Sequence, residues 1–332
     1  MTNEKNNRKL IAMRIIAALL ACIAALTAAC SDSNDAKGTG IALTPLADRY
    51  ELSSPDSVPE GVASDPEERM FYATSLQGGG IVRVDAEGQE SVFHAADNRA
   101  ELVGTKVDAQ RRRLWVCAQK VDGGDNRVWV FDLASGELAQ EFFLGAVAGS
   151  GSCNDLVLDS AGIAYVTDPA NPNLYRLDAA TGTAAILVSD PLLADVTGAG
   201  LGLNGIALTP DETALIVAKF FPASLLRVSL PDGAAVEPIV LTGDALPSPD
   251  GLAVLDGDVY SVSNASVSRI RLNQDFNAGE VVNAEQISGL STATVAESAL
   301  YVIKSDVLNF VLKQPLDTPF EIFRIDVDVF EQ

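Results

Sequence analysis

One unit recurs along this chain: a polar residue, a short apolar run, a tight turn and a second apolar run. Its clearest copy is Asn154, then Leu156-Val157-Leu158, the turn at 159–162, and Ile163-Ala164-Tyr165-Val166. Short apolar runs bounded by Asp, Ser and Gly read as two strands joined by a turn. Asn204-Gly205-Ile206-Ala207-Leu208 into Leu215-Ile216-Val217 repeats the pattern, as do Asp250-Gly251-Leu252-Ala253-Val254 into Val259-Tyr260 and Glu60-Gly61-Val62-Ala63 into Phe71-Tyr72. Weaker copies run from Lys106 into Leu114-Trp115-Val116 and from Thr292 into Leu300-Tyr301-Val302. Anchored at residues 60, 106, 154, 204, 250 and 292, the copies lie 46, 48, 50, 46 and 42 residues apart. A repeat of roughly 40–50 residues made of short strands predicts an all-β chain, a six-bladed β-propeller of four-stranded antiparallel blades.

Further alternating strands ending in glycine turns are legible at 80–88, 127–136, 173–182 and 224–233. They supply the third and fourth strands that an antiparallel blade requires. Residues 320–327 read as a strand near the end of the chain. One terminal strand is expected to complete a blade begun at the other end, which closes the ring and removes a sheet edge.

The first residues carry Lys5, Arg8 and Lys9, and 15–29 is apolar or small throughout. A spanning helix needs about 20 apolar residues, so this shorter run reads as an export signal. Leu26-Thr27-Ala28-Ala29-Cys30, followed by polar residues, resembles a bacterial lipobox. Leu19-Leu20-Ala21-Cys22 is a rival, but apolar sequence continues past Cys22 and stops at Cys30. The expected organisation is a signal peptide over 1–29, a flexible tether over 30–42 from a lipidated Cys30, and the propeller over 43–332. Ser31 after that cysteine, by the sorting rule of such lipoproteins, points to the outer membrane, with the propeller in the periplasm or at the cell surface.

The chain carries a formal charge of −22, and 1–29 holds four cations against Glu4, so the remainder carries about −25. That excludes binding to nucleic acid or an anionic surface by charge. It suits a monomer exposed to water and divalent cations, and most of the acidity reads as solubilising surface. After Cys30 only Cys117 and Cys153 remain. Aligned repeats put Cys117 at the end of an inner strand of the second blade and Cys153 before the third. A disulfide and two buried thiols both remain open.

The polar residues opening the inner strands are Glu60, Lys106, Asn154, Asn204, Asp250 and Thr292. Four of them offer the carboxylate or amide oxygens a hard cation prefers. On the residues alone, the Glu-Gly, Asn-Gly and Asp-Gly pairs read first as turn formers.

Pro59-Glu60-Gly61, Asn154-Asp155, Leu203-Asn204-Gly205-Ile206-Ala207-Leu208 and Pro249-Asp250-Gly251-Leu252-Ala253-Val254, in this order and at blade spacing, change that weighting. Over about 45–330 the chain resembles the SMP-30/gluconolactonase/LRE-like family of six-bladed propellers. Squid-type diisopropylfluorophosphatase and the strictosidine synthase-like proteins share its superfamily. The resemblance implies that Glu60, Asn204 and Asp250 bind one divalent cation, Ca2+ or another, at the channel mouth. It implies Asn154 as a fourth ligand or a substrate contact, and Asp250 as general base or nucleophile. The cation would act as a Lewis acid on a small lactone, ester or related substrate. Sugar-lactone members carry an arginine two residues before the asparagine, where this chain has Ser152. A non-catalytic envelope propeller, with a structural metal or none, is therefore the alternative.

Other chemistries lack their residues. The one histidine, His94, falls in an expected outer strand, and no G-x-S-x-G elbow is present. Glycines at 198, 200 and 202 precede a strand rather than open a helix, so they do not form a dinucleotide loop. Arg111-Arg112-Arg113 reads as a solvated turn. Lys219 and Phe220 follow an apolar run and are candidates to line the substrate pocket.

Overall fold

Each repeat folds as a blade whose second strand is sandwiched between its neighbours, which is why those strands are continuous apolar runs rather than alternating ones. Ile163–Thr167 and Ala214–Lys219 are buried along their whole length, whereas the outer strand Thr183–Ser189 is exposed along much of its length. The structure, a computed structural model, describes residues 44–53 and 57–331. The expected signal peptide, the expected lipidation site at Cys30 and the expected tether lie outside the described residues. The unit from Pro45 to Gln332 carries six antiparallel blades.

The inner strands are Pro59–Asp65, Glu101–Asp108, Leu156–Leu158, Leu203–Leu208, Leu252–Leu255 and Leu290–Ala296. They pack on one another in sequence, and the last packs on the first. The hydrophobic core is divided among the blade interfaces. Tyr72, Leu102, Leu114 and Trp129 fill the first interface, and Trp115, Val128, Leu156 and Tyr175 the second. Arg49–Leu52 pairs antiparallel with Phe320–Ile325 and forms the outer strand of blade six, so both ends of the propeller share one sheet, as expected. Tyr50, Phe71, Tyr301 and Phe320 close the wedge beneath it.

Two features depart from the uniform repeat. Blade five has a fifth strand, Val240–Gly243, running parallel to its neighbour Ala278–Gln286. The outer strand of blade four, Val236–Pro238, stops at a proline, which cannot donate to a ladder. The chain then buries Ile239 between blades four and five and continues along the edge of blade five. Cys117, expected at the end of an inner strand, lies instead within the second strand of its blade, Arg113–Val121.

Arg111 and Arg112 are not free in a solvated turn. Arg112 Nη1 is 2.8 Å from the buried Asp65 carboxylate and its Nη2 2.7 Å from Glu68, both on blade one. Arg111 pairs with Asp108 on its own blade and donates to the Ser160 carbonyl of blade three at 3.2 Å. Ser160 in turn donates to Glu212 on blade four, and Arg69 of blade one pairs with Glu297 of blade six. These contacts link neighbouring blades around one rim. The opposite rim, where the inner strands begin, holds the polar openers.

Candidate cation site at the channel mouth

The inner strands do not begin with turns. In blades one, two, four and six, the ladder to the second strand breaks between Pro59 and Val62, Leu102 and Thr105, Leu203 and Ile206, and Leu290 and Ala293. Each break frees two residues from their own sheet, as bulges beside functional sites do. Their backbone groups pair across to the next blade. Gly104 N–H donates to the Asn154 carbonyl at 3.0 Å, and Gly205 N–H to the Asp250 carbonyl at 2.6 Å. Where the direct bond is missing, a threonine relays it. Gly61 N–H donates to Thr74 Oγ1, which donates to the Val103 carbonyl at 2.6 Å. Asp155 N–H donates to Thr167 Oγ1, which donates to the Asn204 carbonyl at 2.7 Å. Ser291 Oγ donates to the Glu60 carbonyl at 2.7 Å.

The glycines are therefore demanded by close approach, not by turn chemistry. A Cβ at Gly205 would stand 2.5 Å from the Asp250 carbonyl oxygen, and one at Gly104 2.5 Å from that of Asn154. The same register corrects two openers. Val103, not Lys106, is the counterpart of Glu60 in blade two, and Ser291, not Thr292, in blade six. The X-Gly signature of Glu60-Gly61, Asn204-Gly205 and Asp250-Gly251 also marks Val103-Gly104, and that signal could have placed the second blade.

Glu60, Asn154, Asn204 and Asp250 meet around one cavity, together with Gly104, Asp155, Gly251 and Thr292. The cavity measures about 10 Å³, room for one water-sized sphere. Glu60, Asp155 and Thr292 are buried, and Glu60 Oε2, Asp155 Oδ2 and Thr292 Oγ1 have no hydrogen-bond partner. Buried oxygens left unpaired are costly, and three around one small cavity call for a bound partner that accepts electron pairs. The donors are hard oxygens of carboxylate, amide and hydroxyl type, the set that suits a calcium-like ion. Among the described residues no trio of His, Cys, Asp or Glu side chains is gathered closely enough to hold a metal by itself. The amide oxygens of Asn154 and Asn204 are thus integral to the fit.

The electrostatics agree. Burial, then the charges of Asp250 and Asp155, hold the Glu60 carboxyl well above its usual range, with Lys106 opposing. Burial pushes Asp250 up to about 7; a hydrogen bond with the Asn204 side chain opposes this, and the Asp155 charge adds to it. In the sequence Asp155 reads only as the neighbour of Asn154, and nothing there marks it as a site residue. Its Oδ1 accepts from Leu156 N–H at 2.8 Å and lies 3.6 Å from Lys106 Nζ.

Two anchors hold the segment that carries Asn154. Cys117 and Cys153 are joined by a disulfide, with Cα atoms 5.5 Å apart. The fully buried Asp168 accepts from Ser152 N–H at 3.0 Å and Tyr175 O–H at 2.6 Å. Lys219 does not line this cavity: it is buried, and its Nζ donates to the Leu192 carbonyl at 2.9 Å. His94 ends the outer strand of blade one, packed on the Phe131 and Trp129 rings, with its pKa lowered by burial.

The six blades and the oxygen-lined cavity where their inner strands begin define a β-propeller with a candidate cation site. The chain belongs to the SMP-30/gluconolactonase/LRE-like family, whose model matches residues 58–296. The family is one of lactonase-type propellers, and four of the eight lining residues are those that its motifs predicted. No curated protein sequence matches the chain. Among solved structures, the gluconolactonase XC5397 of Xanthomonas campestris is similar, with 20% identity and a TM-score of 0.61 over 85% of this chain and 92% of that one. Regucalcin of Agrobacterium tumefaciens, described as a calcium-binding protein, gives 16% and 0.58 over 84% and 93%. The major Malassezia sympodialis allergen Mala s 1 gives 15% and 0.67 over 85% and 96%. At these identities the likeness carries the fold alone.

Proposed function

We propose that the protein is an exported, lipid-anchored, divalent-cation-dependent hydrolase of a small lactone or ester. The observation that carries this reading is the set of unpartnered buried oxygens on Glu60, Asp155 and Thr292 around a cavity of single-ion size. Glu60, Asn154, Asn204 and Asp250 would hold the ion, with calcium favoured by the all-oxygen set. A bound cation would supply Lewis-acid polarisation of the substrate carbonyl oxygen. Asp250 is the general base or nucleophile: a bound cation beside it would keep its carboxylate ionised near neutral pH, so it can accept a proton or attack. Asn154 orients the substrate from beside the ion. Lys219, tied to a backbone carbonyl, takes no part in this reading.

The first 30 residues support export and attachment at Cys30, and Ser31 the outer membrane. The acidic charge supports a monomer that binds a small molecule and no nucleic acid.

The competing reading is a non-catalytic envelope propeller used for ligand or protein binding, with a structural ion or none. Ser152 favours it, because this residue offers no cationic side chain where sugar-lactone members carry arginine. Calcium titration calorimetry on purified protein, with Asn204→Ala and Asp250→Ala, followed by a lactone and ester screen, separates the readings. One ion per chain, lost in both variants, with turnover lost in Asp250→Asn, supports the hydrolase. Binding without turnover supports the structural ion. No binding of any divalent cation to the folded chain overturns the hydrolase and leaves the metal-free binding propeller.

A further inference from the structure

Lys106 stands three residues past the position that the repeat gives to Glu60, yet its side chain returns to the site. Its ammonium lies 3.6 Å from Asp155 Oδ1, with the side chain only 20% exposed. Three carboxylates face this small volume, those of Glu60, Asp155 and Asp250. With all three ionised and Lys106 beside them, the cluster carries a net charge of −2, which a divalent cation neutralises. Without Lys106 the charge is −3, which matches a trivalent ion.

We infer that Lys106 is a selectivity residue of the cation site, a resident counter-charge that fits the carboxylate cluster to a divalent ion. The inference rests on the cation reading above. At the separation of neighbouring side chains, each added unit of ion charge feels the lysine by an amount that reaches tenfold or more in affinity in a partly buried site. The penalty therefore grows from a divalent to a trivalent ion of the same size. Lys106 is not a ligand itself, because an ammonium has no lone pair with which to coordinate a cation.

The test is the ratio of La3+ to Ca2+ affinity, two ions of similar radius, measured by titration calorimetry on the full chain. Lys106→Met is expected to raise that ratio by about tenfold or more, and Lys106→Arg to leave it near wild type. Lys106→Met combined with Asp155→Asn restores a net charge of −2 and returns the ratio toward wild type. Asp155→Asn alone, at −1, lowers it. A ratio unchanged in Lys106→Met while calcium still binds overturns the role of Lys106 and leaves the cation site standing. Wild-type protein that binds neither ion overturns the site and the inference together. Should Lys106→Met fail to fold, Lys106→Gln, which keeps a polar side chain without the charge, takes its place: a raised ratio supports the counter-charge role, and an unchanged one overturns it.

Discussion

The amide of Gly205 donates to the carbonyl of Asp250 at 2.6 Å, so the residue after one expected ligand is fastened to the backbone of the next. The site is thus a product of how blades four and five meet. A side chain at Gly205 has no room, since its Cβ would stand 2.5 Å from that carbonyl oxygen and 2.8 Å from Leu252 N. Gly205→Ala is expected to cost about 1–3 kcal/mol of stability and to abolish cation binding. Gly124→Ala, where a Cβ meets nothing within 4 Å, is the control. Calorimetry and thermal melts on both variants check this, and equal binding in the two would refute it.

The pH dependence of the cation-free protein follows from Asp250 and Glu60. Asp250 is pushed up to about 7 and Glu60 is raised well above its usual range. The folded state then binds more protons than the unfolded one between about pH 4 and 7. Stability is full below that window and is lost as pH rises through it. In a chelator, melting temperature should fall from mildly acidic to mildly alkaline pH. Added calcium should recover most at the alkaline end. A flat profile in the chelator would contradict the burial of these carboxyls.

Asp250→Asn removes one charge from the same cluster. The cation-free variant should be more stable than wild type by about 1 kcal/mol or more at mildly alkaline pH, and inactive. Denaturant midpoints in chelator, paired with turnover assays, test both halves. Destabilisation with activity retained would refute both.

The disulfide spans a sequence separation of 36. Closing a loop of that size stabilises by roughly 3–4 kcal/mol. Cys153 is also the residue before Asn154. Replacing both cysteines with alanine should lower the denaturation midpoint accordingly and weaken cation binding at Asn154. Unchanged melting after reduction would show that the bridge adds nothing.

On the far rim, Arg112→Gln leaves the buried Asp65 carboxylate without its cation. A loss of about 3 kcal/mol is expected, since breaking a buried pair strands a charge. Arg99, whose partner Asp122 is exposed, is the comparison, and Arg99→Gln should cost less than about 1 kcal/mol. Urea midpoints of the two variants decide it.

The repeat pattern by itself determined the ring of six blades, because each unit is a local antiparallel meander whose strands and turns are written in neighbouring residues. It also put Glu60, Asn154, Asn204 and Asp250 at matching places, since equal positions in equal blades face one channel. The sequence pattern alone misplaces Lys106, because its blade opens on an apolar residue, Val103, and only the break in the ladder shows the true register. Asp155 and Thr292 face the cavity because they take the place that glycine holds in other blades. That depends on contacts between residues far apart in the chain. The pairing of Cys117 with Cys153, the capture of Lys219 by Leu192 and the arginine links between blades were likewise decided by the tertiary structure. Strand, turn and repeat are short-range properties of a sequence. Which side chain finds a partner across a blade interface depends on how the wedges pack, and no local pattern carries that.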